Sequence, residues 1–249
     1  HQAGGREEGL RCYREALGLR EKLAAASPRD PWRQADLGGA CHALGIALRD
    51  ARREEEAVQC FQRSRTIRKQ VAADHPLVTR FQADLAASHT NLGIFHSRHG
   101  RRDMALACYR EACAIQKKLV QLDPGSPSFR RELALSHFNI GAVYGAQNKR
   151  DEERQAFQAA QALQDALVAN DPDNLVYRND LSRTLQNLGF NAWVTGQRDR
   201  AIAVLRQAAV NMRPAVARAP QVTAYRGLLG AHLGTLAEVA RETNRPREA

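Results

Sequence analysis

One column of residues constrains this chain more than any other feature. Leu44-Gly45, Leu92-Gly93, Ile140-Gly141, Leu188-Gly189 and Leu236-Ala237 recur at steps of 48 residues with no slippage. A large apolar residue keeps the same step at Tyr13, Phe61, Tyr109, Phe157 and Leu205. So do Pro28, Pro76, Pro124, Pro172 and Pro220, and likewise Leu37, Leu85, Leu133, Leu181 and Leu229. Four columns in one register mean a single structural unit copied along the chain, each copy burying its apolar face against the next.

Each unit reads as two helices. Phe81, Leu85, Leu92, Phe95 and His96 fall at helical spacing and make one apolar stripe. Gly100-Arg101-Arg102-Asp103 breaks the pattern, and Ala105, Cys108, Tyr109, Ala112, Ile115 and Leu119 form a second stripe before Asp123-Pro124 stops the helix. No segment shows the two-residue alternation of a half-buried strand. The expected fold is all-α: a right-handed α-solenoid of antiparallel helix pairs. The chain divides into a half repeat at 1–31, full repeats at 32–79, 80–127, 128–175 and 176–223, and a half repeat at 224–249. A lone second helix is expected over about 6–26 and a lone first helix over about 223–243. Neither end is polar enough to cap an array, and Arg245 to Ala249 reads as the start of another second helix. The expectation is therefore a single array, a fragment of a longer one, whose uncapped ends offer a route to self-association.

Within this frame, four local features carry expectations. Glu153 replaces the small residue at Ala57, Ala105 and Ala201, so looser packing is expected there. Pro214 is expected to end or kink the last second helix near Met212. Gly38-Gly39 and Gly227 to Gly230 are expected to permit close helix packing. Cys12, Cys60 and Cys108 share a column with Ala156 and Val204, which reads as a small apolar core position.

These residues resemble the tetratricopeptide repeat (TPR) family, whose signature runs from a large residue through Leu-Gly, an aromatic, Ala, an aromatic and Ala to Pro. His89, Leu92-Gly93, His96, Gly100, Ala105, Tyr109 and Ala112 stand in that order, and the next unit supplies His137, Ile140-Gly141, Tyr144, Phe157 and Ala160. The period departs from the usual 34 residues by some 14, roughly four helical turns shared between the two helices. Long units with Asn before the Leu-Gly are similar to those of kinesin light chains, and the Asp-Leu-Ala and Asn-Leu-Gly phrases to repeat tails of some bacterial serine/threonine kinases. The resemblance implies a scaffold that binds a peptide or protein segment in a groove lined by the first helices. A second reading is the regulatory or substrate-recruiting tail of a larger bacterial enzyme such as a kinase.

The groove candidates follow from position. Asn91, Asn139 and Asn187 precede successive Leu-Gly pairs and form a ladder of donors and acceptors suited to an extended backbone. The resemblance adds weight to this column, which contacts peptide in similar arrays. Phe190 and Trp193 lie three apart near Gln186 and would act as apolar anchors. Arg49, Arg98, Arg183 and Arg241 also sit on first helices and would meet an acidic peptide.

Charge argues against a nucleic-acid surface although the net charge is +10. The basic turn residues Arg52-Arg53, Arg101-Arg102, Lys149-Arg150 and Arg198 are followed at once by acids, which suit the positive end of the next helix. The unit 128–175 is net acidic and interrupts any basic stripe. Five sparse Cys fit a reducing, cytoplasmic setting better than a disulfide scaffold. No membrane-length apolar run is present. His89, His96 and His99 lack the acid or Cys that would complete a zinc site, and no phosphate loop, nucleophile elbow or His-Glu-x-x-His occurs. The chain is expected to hold no cofactor or metal and to catalyse nothing itself.

Overall fold

In a computed structural model describing residues 2–243, the chain forms ten α-helices: α1 (Gln2–Ala26), α2 (Pro31–Asp50), α3 (Glu54–Asp74), α4 (Thr79–Arg98), α5 (Arg102–Leu122), α6 (Pro127–Ala146), α7 (Arg150–Asn170), α8 (Leu175–Val194), α9 (Arg198–Arg218) and α10 (Thr223–Thr243). There is no strand among the described residues, and the fold is an all-α solenoid of helical repeats. Residues 245–249, read above as the start of a further helix, lie outside the described part. The helices gather into two compact units, His1–Asp123 and Pro124–Ala249. In the first, α2 pairs with α3 and α4 with α5; in the second, α6 pairs with α7 and α8 with α9.

The Leu-Gly column is the seat on which each pair closes. A Cβ built on Gly45 would lie 2.7 Å from the Phe61 ring, on Gly93 2.5 Å from Tyr109, on Gly141 2.8 Å from Phe157 and on Gly189 2.6 Å from Leu205. Only hydrogen fits, so the second helix lies close enough for its large residue to be swallowed: Phe61, Phe157 and Leu205 are at most 1% exposed. Burial of each such side chain stabilises the pair by about 1.5–3 kcal/mol.

Turns repeat as faithfully as the core. Arg52, Gly100, Asn148 and Gly196, again 48 apart, all have positive φ. The residue after each returns a hydrogen bond to the helix before it, Arg53 to Leu48 and Gln197 to Ala192 at 2.8 Å, closing a left-handed helix stop. At the other end, Asp30, Ser126 and Asn174 cap α2, α6 and α8 through their side chains, whereas Val78 at the same column cannot. Gln34, Gln82, Arg130 and Arg178 reach back from the first helices to the carbonyls of Pro28, Pro76, Pro124 and Pro172 and fix the loop before them.

Several expectations are corrected by packing. α9 runs unbroken through Pro214 to Arg218. Met212 and Ala215 on either side are fully buried, and the carbonyl that Pro214 leaves without a partner belongs to the exposed Val210. Glu153 is not loosely packed: it is 4% exposed, paired with Arg150 at 2.8 Å and hydrogen-bonded by Asn191 at 2.9 Å. Gly38 does admit close packing, with Arg68 Cγ 3.0 Å from its Cβ position, but Gly227 and Gly230 face open space. Cys108 is buried, Cys60 half-buried and Cys12 exposed, so the thiol column is core only where another helix covers it.

Candidate functional site

Within the second unit the predicted residues converge on α8. Its Leu181, Leu185, Leu188 and Ala192 turn inward and are buried. The helical period therefore turns Val176, Arg183, Asn187, Phe190 and Val194 outward as one stripe at spacings of 7, 4, 3 and 4. Phe190 is 42% exposed, although it is the largest apolar side chain on the helix after Trp193. It is held edge-on by Trp193, with ring centroids 5.8 Å apart at 85°. Trp193 itself is half-buried on the core around Ala201, Leu205 and Val239, and its Nε1 donates to Glu242 Oε2 at 2.9 Å. Trp193 thus serves as the wall that orients Phe190.

The polar members of the stripe are prearranged in the same way. Asn187 donates through Nδ2 to its own helix at Arg183 O, 2.8 Å away, which fixes the amide and turns its remaining donor and acceptor outward. The Arg183 guanidinium lies 4.9 Å over the Phe138 ring of α6, a cation–π contact that holds it extended across the gap between α6 and α8. Asn139 is half-buried on α6. Arg241 is exposed in the last turn of α10.

In the first unit, Asn91 repeats this pattern with Nδ2 bonded to Ala87 O at 2.9 Å and 3.5 Å from His42 Nε2. Arg49 is taken up by Asp50 through two hydrogen bonds of 3.0 and 2.9 Å. With Arg98, Arg52 and Glu54 it lines a polar hollow. Two of the predicted Arg residues are therefore not equivalent: Arg183 is presented by a ring, Arg49 is neutralised by its neighbour.

Val176 and Val194 were missed by the sequence reading, although both stand at whole-turn distances from Asn187. The first helices touch through an offset that the 48-residue period conceals: residue i of one meets residue i + 49 of the next. Trp32 packs tilted against Phe81 with ring centroids 4.8 Å apart, Arg131 pairs with Asp180 at 2.7 Å, Gln186 donates to Thr235 at 2.9 Å, and Trp193 bonds Glu242.

The chemistry elsewhere is that of packing. Burial raises the Cys41, Cys108 and Cys113 thiols above their ordinary range, so they are poor nucleophiles. His99 is taken by Glu54 at 2.7 Å and separated in role from the buried His96. Among the described residues no group of His, Cys, Asp and Glu could hold a metal, and no helix is long and apolar enough to cross a membrane.

The fold and its columns define a helical-repeat protein of the helix-turn-helix array class. The tetratricopeptide-repeat family model matches residues 37–77 and 85–128, and the columns that carry this match recur from α1 to α10. Over residues 37–77 and 85–128 the chain carries tetratricopeptide repeats. No curated protein matches it in sequence. Among solved structures it is similar to BtubC (BKLC) from P. vanneervenii, at 13% identity and TM-score 0.60 over 98% of this chain and 96% of that one. It is also similar to aspartyl phosphate phosphatase F from Bacillus subtilis, at 14% identity and TM-score 0.57, covering 88% of this chain and 51% of that one. A kinesin light chain with nearly identical TPR-like repeats from Podosopora anserina aligns at 20% identity and TM-score 0.48, over 88% of this chain and all of that one. At such identities the first two likenesses speak for the fold alone.

Proposed function

We propose that this chain, a protein-interaction scaffold by its repeats, holds an extended peptide segment along the outward stripe of α8. The observation that carries the reading is Phe190: a large apolar side chain 42% exposed, yet fixed by Trp193 and flanked by Asn187 and Arg183. Surface aromatics with no preset orientation lose rotamer freedom on binding, whereas this ring is already held, so less entropy is lost when a ligand covers it. Asn187 and Asn139 would supply donor and acceptor groups to the peptide backbone, and Arg183 a cation for an acidic side chain. Phe190 and Val194 would receive an apolar one. In the first unit Asn91 is presented in the same way, and Arg98 adds a cation. The segment that fits is extended, with an apolar residue beside an acidic one.

A random-peptide selection against the whole chain tests this. Enriched sequences should share that apolar–acidic pairing and lose at least tenfold in affinity, about 1.4 kcal/mol, with Phe190→Ala. Enrichment unaffected by Phe190→Ala and Asn187→Ala would put the site elsewhere.

A further inference from the structure

We propose that the hollow at the corner of α2, α3 and α4 binds the phosphoryl group of a phosphorylated Ser or Thr side chain on a partner segment. The proposal rests on reading the chain as a peptide-binding scaffold, but on no residue of the α8 stripe.

The hollow is lined by Arg49, Asp50, Arg52, Glu54 and Arg98 and measures about 530 Å³. Its equivalent in the second unit lies 144 residues further on, where Trp193, Val194, Gly196, Arg198 and Glu242 occupy the same columns. There the contact between first helices is a matched one, because Trp193 Nε1 donates to Glu242 Oε2 at 2.9 Å. In the first unit Arg49 takes the place of the donor and Arg98 that of the acceptor. A guanidinium carries donors alone, so this pair has nothing to accept with. An anion between the two supplies the missing acceptor.

The charges of the hollow do not cancel. Asp50 accepts two hydrogen bonds from Arg49 at 3.0 and 2.9 Å, and Glu54 faces His99 Nε2 at 2.7 Å. Both acids of the hollow are thereby engaged. Arg52 and Arg98 are exposed, and among the described residues neither forms an ion pair. Arg52 also holds its place at a cost. Its column is Gly100, Asn148 and Gly196, residues that reach the left-handed region easily, yet Arg52 adopts φ 65°. Strain of this kind gathers at ligand sites, and here it directs a third guanidinium into the hollow.

Two unpaired positive charges select the ligand. A carboxylate brings one negative charge and two oxygens, which Arg183 alone can match in the second unit. A phosphoryl group brings about −1.5 to −2 at pH 7 and three acceptor oxygens. That charge matches Arg52 and Arg98 together, and Arg49, whose bonds to Asp50 use Nε and Nη2, keeps Nη1 as a further donor. Asn91 stands seven residues before Arg98 on the same face of α4, about 10 Å along the axis. A segment bonded at Asn91 therefore reaches the hollow within about three extended residues.

The test uses the whole chain, immobilised, and two degenerate peptide libraries that differ only in a fixed central residue, phosphoserine or Ser. The phosphorylated pool should be retained about tenfold more strongly. Arg98→Gln and Arg52→Gly should each remove most of that preference. Arg52→Gly discriminates further, since it should bind less well while folding more stably, so its loss cannot come from misfolding. Phe190→Ala should leave the preference intact, which keeps this outcome separate from that of the α8 stripe. Equal retention of the two pools overturns the proposal, as does a preference that survives both Arg variants. Inorganic phosphate should compete with the phosphorylated pool. A chain that binds inorganic phosphate through Arg98 but does not prefer the phosphorylated pool overturns the assignment to a phosphorylated side chain.

Discussion

Asn191 on α8 donates to Glu153 Oε2 on α7 at 2.9 Å, and the same amide donates to the Arg150 carbonyl at 2.9 Å. The columns of these two residues are otherwise apolar: Ala57, Ala105 and Ala201 match Glu153, while Ala47, Phe95, Val143 and Val239 match Asn191. Gly145 completes the site, because a Cβ there would lie 2.6 Å from Glu153 Oε1. A carboxylate at 4% exposure depends on every partner it has. Asn191→Val should lower stability by about 1–3 kcal/mol, read as a shift of the urea midpoint. The double variant Glu153→Ala with Asn191→Val restores the apolar pairing of the other repeats and should recover most of that loss. Additive losses would contradict this account of the pair.

The glycines separate into two classes that the same substitution distinguishes. Gly93→Ala forces a methyl group to within 2.5 Å of the Tyr109 ring and should destabilise by about 1–3 kcal/mol. Gly18→Ala, with nothing within 4 Å inside α1, should stabilise by about 0.5–1 kcal/mol through helix propensity. Thermal midpoints of the two variants should move in opposite directions.

Arg52 is the costly member of the turn column, a long side chain at φ 65° where Gly100 and Gly196 take that conformation freely. Arg52→Gly should raise stability by about 1 kcal/mol without altering the fold, because the left-handed region penalises a Cβ by that order. An unchanged or lowered midpoint would show that Arg52 makes a compensating contact.

Four buried or half-buried histidines tie stability to pH: burial lowers His89 and His96 below their ordinary range, and His42 and His232 further. Burial lowers His42 from its ordinary 6.5 to about 4, with Arg68 and Arg49 adding repulsion, and burial alone lowers His232 to about 4. Both are neutral when folded, and His232 lies against Gln186 Oε1 at 2.5 Å. Below pH 6.5 the unfolded chain takes up protons that the folded chain refuses, so this contribution is complete above 6.5 and is lost as pH falls towards 4. The melting temperature should therefore drop between pH 7 and pH 5, and the drop should shrink in His42→Asn with His232→Asn. A drop of equal size in that variant would assign the effect to other groups.

How far the fold could be read in advance follows from what a repeat encodes. A Gly sixteen residues before a large apolar residue states a contact between two helices, and the structure forms it in each full repeat. Burial is another matter, because a column shows equivalence and not whether a neighbour is present. Tyr13 and Cys12 stand in core columns and are nonetheless exposed. Glu153 broke its column because two compensations, Gly145 and Asn191, lie in other columns. At the candidate site the stripe positions Arg183, Asn187 and Phe190 were legible from helical period. The fixing of Trp193 by Glu242 was not, since the offset of 49 between first helices appears only once the helices are packed.

The central claim is that Phe190, oriented by Trp193, anchors an extended peptide on α8. The most direct measurement is the affinity of a selected peptide for the whole chain and for Glu242→Ala, which removes the indole's partner without touching the stripe. Loss of that bond frees both rings, and the account predicts affinity weakened by about 3- to 10-fold, some 0.7–1.4 kcal/mol, with helical circular dichroism unchanged. Unaltered affinity in Glu242→Ala, together with unaltered affinity in Phe190→Ala, would contradict it.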